Sequence, residues 1–128
     1  MTKKVVLVDD SKTVLMTAEL ALKPLIDAGL IEVLTFEDPT EALQSIQNGL
    51  QFDLLLTDIN MPQMNGLDFA KAVKALPEMR LKPILAFTTE NAPEMVQKGK
   101  EIGLAGWVVK PFAPEKLQMA VKRVLRIR

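Results

Sequence analysis

Asp58 stands at the end of the apolar run Leu54-Leu55-Leu56, and two other charged positions end equally apolar runs in the same way. Val5-Val6-Leu7-Val8 leads into the acidic pair Asp9-Asp10, and Val108-Val109 leads into Lys110. A fourth run, Ile84-Leu85-Ala86-Phe87, closes on Thr88. If each run is a strand of one parallel sheet, three carboxylates, an ammonium and a hydroxyl gather at its carboxyl edge. Three like charges placed together repel strongly unless a cation offsets them. Oxygen donors without thiol or imidazole select a hard ion. Mg²⁺ fits best, since it accepts one or two carboxylates, keeps several waters and bridges to phosphate oxygens.

What is missing narrows the chemistry further. The chain has no cysteine and no histidine, which removes thiol and Ser-His nucleophiles, a histidine general base and HExxH zinc sites. No D-x-D-x-D-G spacing marks a calcium loop, and no GxxxxGK[ST] or GxGxxG follows the first strand to cradle a nucleotide. The nucleophile left is a carboxylate, which takes a phosphoryl group as an acyl phosphate. Such a transfer needs positioning and charge neutralisation more than acid-base help. Mg²⁺ would neutralise two phosphoryl oxygens from one side, with Lys110 and the Thr88 hydroxyl holding the others.

The elements that must position these groups follow from hydrophobic period. Short apolar runs alternate with longer segments of helical period, the pattern of βα units around a buried parallel sheet. Strands are expected near 4–9, 31–36, 53–58, 82–88 and 105–109, and helices near 12–26, 39–48, 66–76, 91–102 and 114–127. Val14, Ala18, Leu22 and Leu25 form the expected buried stripe of the first helix; Leu117, Val121, Val124 and Leu125 form that of the last. Ser11 and Asp38 are placed to cap helices, Pro39 and Pro114 to open them, and Gly29 and Gly49 to end them. Pro83 is expected to open its strand. Asp9 and Asp10 would point to opposite sides of an extended chain. The fourth helix is the weak one, with Pro93 near its start and Gly99 inside it, and it is expected to be the most mobile. Five such units wind into an α/β, doubly wound, flavodoxin-like (βα)5 sandwich. In the parallel order 2-1-3-4-5, ligands bind where strands 1 and 3 flank the reversal of strand order.

One domain over 1–128 is expected, because a 14.2 kDa chain with 48% hydrophobic residues buries a sizeable core without staples but leaves no room for a second. The 16 basic and 16 acidic residues balance, which argues against a nucleic-acid partner. Lys122, Arg123, Arg126 and Arg128 read as cations complementing the negative end of the last helix. No apolar stretch is long enough to span a membrane and no signal h-region begins the chain, so a cytoplasmic location without membrane insertion is expected.

Taken together, Asp9, Asp10, Asp58, Thr88 and Lys110 resemble the receiver domain of two-component response regulators over essentially the whole chain. The resemblance implies Asp58 as phosphoacceptor, Asp9, Asp10 and the main-chain carbonyl of Asn60 as further Mg²⁺ ligands, Thr88 as switch hydroxyl and Lys110 as phosphate-binding lysine. It also implies a cis Lys110-Pro111 bond. Thr88-Thr89-Glu90 and Gly106-Trp107-Val108-Val109-Lys110-Pro111-Phe112 look like the stand-alone, CheY-like chemotaxis subgroup, without an effector domain. Asn60 and Glu90 lie where members tune the lifetime of the acyl phosphate. Trp107 stands where tyrosine or phenylalanine is more usual, and by analogy turns inward as Thr88 moves to the phosphoryl group. Thr89 replaces a more common alanine, which affects access of a phosphatase or small donor.

The implied function is signalling rather than enzymatic. A sensor histidine kinase phosphorylates Asp58, the face of the fourth helix, fifth strand and fifth helix resets, and a target such as a flagellar motor switch protein binds. A monomer is expected. The alternative is a phosphate sink, an aspartyl-phosphate autophosphatase without an output target. A haloacid-dehalogenase-like phosphatase would need a second acid where Asn60 stands, and a static interaction module would not need the intact set.

Overall fold

The computed structural model describes residues 2–127. Five strands, β1 (Lys3–Val8), β2 (Ile31–Phe36), β3 (Leu54–Thr57), β4 (Ile84–Thr88) and β5 (Gly106–Val109), alternate with five helices. The helices are α1 (Lys12–Asp27), α2 (Pro39–Gln47), α3 (Gly66–Lys74), α4 (Pro93–Glu101) and α5 (Pro114–Leu125). All strand pairs are parallel and the order is β2-β1-β3-β4-β5, the doubly wound arrangement expected. Chain direction reverses its progress across the sheet between β1 and β3, so their carboxyl ends open the ligand crevice.

Alternation along the strands divides the core between the two faces. Val5, Leu7, Leu54, Leu56, Leu85 and Phe87 pack with α1 and α5, whereas Val6, Val8, Leu55 and Ile84 pack with α2 and α3. A smaller cluster, Ile59, Leu67 and Ala86, receives Met95 of α4 and Ile102 just past its end, together with Trp107. Central strands buried on both faces read as continuous apolar runs for this reason.

Local signals act largely as expected. The Ser11 hydroxyl accepts from the Val14 amide, and the Asp38 carboxylate accepts from the Thr40 amide, each closing a free helix N-terminus. Gly29 and Gly49 take positive φ of 75° and 110° past α1 and α2.

Several details differ from expectation. β4 begins at Ile84, not at Pro83, whose carbonyl instead accepts from the Leu55 amide. The α1 stripe is Leu15, Ala18, Ala21, Leu22 and Leu25, with Val14 only partly buried. A short 3-10 turn, Pro77–Met79, follows α3 and seats Met79 in the core. Finally, α5 ends at Leu125 because Arg126 turns left-handed at φ 58°.

Candidate functional site

β1, β3 and β5 each deliver the charged residues just past their carboxyl ends to the crevice. β1 ends at Val8, so Asp9 and Asp10 lie beyond the pleated strand and its alternation no longer separates them. Oxygens of Asp9, Asp10 and Asp58 converge within 4.8 Å of one another, a correction to the expectation that the pair points apart. Asp9 is 1% exposed and Asp58 8%, while Asp10 faces solvent.

Both carboxylate oxygens of Asp9 are engaged. Its Oδ1 accepts from the Ser11 amide at 2.9 Å, and its Oδ2 accepts from Lys110 Nζ at 2.8 Å. Lys110 Nζ also lies 3.5 Å from Asp58 Oδ2 and 5.1 Å from the centre of the Phe87 ring. Burial pushes the Asp9 carboxyl above its ordinary range; the bonds from Lys110 and the Ser11 amide pull it back only in part. Three carboxylates against one ammonium leave two negative charges in the cluster. That excess and the all-oxygen donor set fit a hard divalent cation.

Thr88 closes β4 fully buried, and its Oγ1 accepts from the Glu90 amide at 3.2 Å. The Glu90 carbonyl in turn accepts from Trp107 Nε1 at 2.7 Å. Trp107, half-buried on β5, lies against α4 at Gly99, where a β-carbon would meet its ring at 2.9 Å. Asn60 sits exposed in the loop after β3, and the Lys110-Pro111 bond is cis. The structure thus brings Asp9, Asp10, Asp58 and Lys110 into one cluster and links Thr88, Glu90 and Trp107 in a second, adjoining chain of bonds.

Two neighbours of Asp58 escaped the sequence reading. Gly66 opens α3 against the Asp58 main chain; a β-carbon there would overlap the Asp58 carbonyl oxygen and lie 2.7 Å from Ile59 Cα. Its signal was a glycine at the first position of a helix capped by Asn65, where a better helix former would otherwise stand. Thr57, the last residue of β3, is fully buried and donates from Oγ1 to the Asp58 carbonyl at 2.8 Å.

Known proteins with this arrangement agree. Residues 5–122 match the model of the response regulator receiver domain. The chain is 35% identical over 122 residues to chemotaxis protein CheY1 of Helicobacter pylori, covering 95% of this chain and 96% of that protein. Its fold superposes with a TM-score of 0.86 on Vibrio cholerae chemotaxis protein CheY4, at 43% identity over 97% of this chain and 99% of that one. The receiver domain of the Pseudomonas aeruginosa sensor histidine kinase PA1611, which holds a magnesium ion in its active site cleft, shares the fold alone. Its TM-score is 0.85, with 22% identity over 98% and 99% of the two chains. Acidic cluster, sheet order, family match and relatives converge on one conclusion: the chain belongs to the response regulator receiver domain family, on its CheY-like branch.

Proposed function

We propose that this chain is a CheY-like response regulator domain of a two-component phosphorelay, in which Asp58 accepts a phosphoryl group from a sensor histidine kinase. The observation that carries this reading is the convergence of the three carboxylates, with Lys110 bridging Asp9 and Asp58. Asp9, Asp10, Asp58 and the main-chain carbonyl of Asn60 would hold Mg²⁺. When bound, the ion neutralises charge on the phosphoryl oxygens.

The chemistry asked of the chain is short. An Asp58 carboxylate oxygen forms the new bond to phosphorus while the bond to the donor's leaving group breaks, its electron pair departing with that group. Lys110 exchanges part of its hold on Asp9 for a phosphoryl oxygen. Thr88 gives its hydroxyl to another, and the Glu90 amide loses its acceptor. Because the Glu90 carbonyl holds the Trp107 indole, that loss reaches β5 and α4 directly. The face of α4, β5 and α5 then shifts toward a form that a target, such as a flagellar motor switch protein, prefers. The chain acts as a phosphoacceptor and not as an enzyme on external substrates, and the similarity to CheY proteins favours chemotaxis.

The test is incubation with acetyl phosphate and Mg²⁺, followed by intact mass. Phosphoryl incorporation that requires Mg²⁺ and is abolished in Asp58→Asn is expected. Incorporation that persists in the variant would remove Asp58 from the mechanism. With beryllium fluoride as phosphoryl analogue, Trp107 emission should change in the wild type only. Unchanged emission would favour the phosphate sink.

A further inference from the structure

Thr57 is a hydroxyl at the fully buried end of β3, a strand otherwise made of leucine. β3 lies between β1 and β4, so a valine in its place would suit the strand and carry no polar group of its own. What the hydroxyl adds is a bond to the next peptide. Thr57 Oγ1 donates to the Asp58 carbonyl oxygen at 2.8 Å, and the amide at the other edge of that peptide, Ile59 N–H, donates to Asp58 Oδ1 at 2.7 Å. A peptide group is rigid and planar, so fixing its oxygen fixes the direction of its N–H. Gly66 closes the opposite side, its α-carbon set against the same carbonyl and its amide donating to the Ile59 carbonyl at 2.8 Å.

We propose that Thr57 is a positioning residue for phosphoryl transfer, an inference that rests on the phosphoacceptor reading of Asp58. Through one peptide plane its hydroxyl aims the Ile59 amide at Asp58 Oδ1. That oxygen is tethered, and Oδ2, 3.5 Å from the Lys110 ammonium, is the one presented to phosphorus. Without the hydroxyl the plane can rotate within its loop and the carboxylate loses its fixed approach, while the nucleophile and the charged groups remain. The loss therefore falls on the rate of transfer and not on capture of the donor.

The experiment measures the phosphorylation rate against acetyl phosphate concentration at saturating Mg²⁺ for wild type, Thr57→Val and Thr57→Ser. Thr57→Val is expected to lower the limiting rate about 10- to 100-fold with the half-saturating donor concentration unchanged, and Thr57→Ser to restore it. Thr57→Ala against Thr57→Ser differs by one hydroxyl and gives the same comparison if valine perturbs the strand. Wild-type rates in both Thr57→Val and Thr57→Ala overturn the proposal and leave the phosphoacceptor reading intact. A serine variant as slow as alanine also overturns it, assigning the effect to packing of β3. A wild type that takes up no phosphoryl group removes the phosphoacceptor reading itself, and the role of Thr57 with it.

Discussion

Helices α1 and α4 cover opposite faces of one sheet and are held to it in different ways. α1 is capped by the Ser11 hydroxyl, buries Leu15, Ala18, Ala21, Leu22 and Leu25, and is tied to α5 by Gln118, whose Nε2 donates to the Ala21 carbonyl at 2.8 Å. The capping position of α4 is Ala92, which has no side-chain acceptor to offer, and among the described residues of the helix only Gly99 is buried. It rests on the Trp107 ring, and that ring is held by the Glu90 carbonyl beside Thr88. Elements with few buried apolar contacts open at lower free energy than core elements. One face is therefore an anchor and the other a lightly buried segment that leans on the Trp107 ring next to the site and on Met95.

The difference can be broken from either side. Leu22→Ala, on the anchored face, should cost the most, about 2–5 kcal/mol, since a fully buried leucine leaves a cavity in a packed core. Denaturant unfolding measures it, and the folded variant should keep the wild-type Trp107 emission. A loss well below that range would show that the α1 face relaxes as readily as the α4 face.

A smaller effect is expected from Gly99→Ala. Alanine gains about 1 kcal/mol in helix propensity, but its β-carbon would sit 2.9 Å from the Trp107 ring and 3.0 Å from Leu104 Cδ1. Overpacking of this kind costs about 1–3 kcal/mol, so a net loss of about 1 kcal/mol is expected. Unlike Leu22→Ala, it should shift Trp107 emission in the folded state. A stabilised variant with unchanged emission would mean that α4 does not depend on the ring.

The smallest effect concerns helix caps. Hydrogen bonds from the Thr40 hydroxyl and amide hold the Asp38 carboxyl below its ordinary value of 3.8. A carboxyl whose pKa is lowered by folding contributes stability that is complete above the unfolded value and is lost as pH falls through the lowered one. The melting temperature of Asp38→Ala should thus lie below wild type at neutral pH and approach it in strong acid. A gap independent of pH would assign the cap's contribution to geometry without charge. Installing the same cap at α4 by Ala92→Asp should slow amide exchange in that helix, reducing the contrast with α1.

The parts of the fold legible in the sequence are those with strong local causes. Leu54-Leu55-Leu56 and Val5-Val6-Leu7-Val8 could only be doubly buried strands, and Ser11 and Asp38-Pro39 could hardly be anything but helix starts. The 3-10 turn at Pro77–Met79 has no period to announce it, and its form follows from the need to seat Met79 against the α3 face. Pro83 sits one residue outside β4 because ladder pairing begins where Ile84 meets Leu55. Gly66 was visible as a helix start, but its contact with Asp58 joins residues that local pattern does not connect.

The sequence by itself determined which functional groups stand at the ends of which strands, because an apolar run closed by a polar residue fixes both the strand and its exit. Asp9, Asp10, Asp58, Thr88 and Lys110 follow from that rule. Only the tertiary structure decided how those groups meet. Asp9 and Asp10 converge because both lie past the end of β1, Lys110 divides itself between Asp9 and Asp58, and Thr57 reaches Asp58 through its neighbour's peptide plane. These are directions of individual carbonyls, amides and carboxylate oxygens, set by strand register and loop path. A hydrophobic pattern places residues on faces and leaves such directions open.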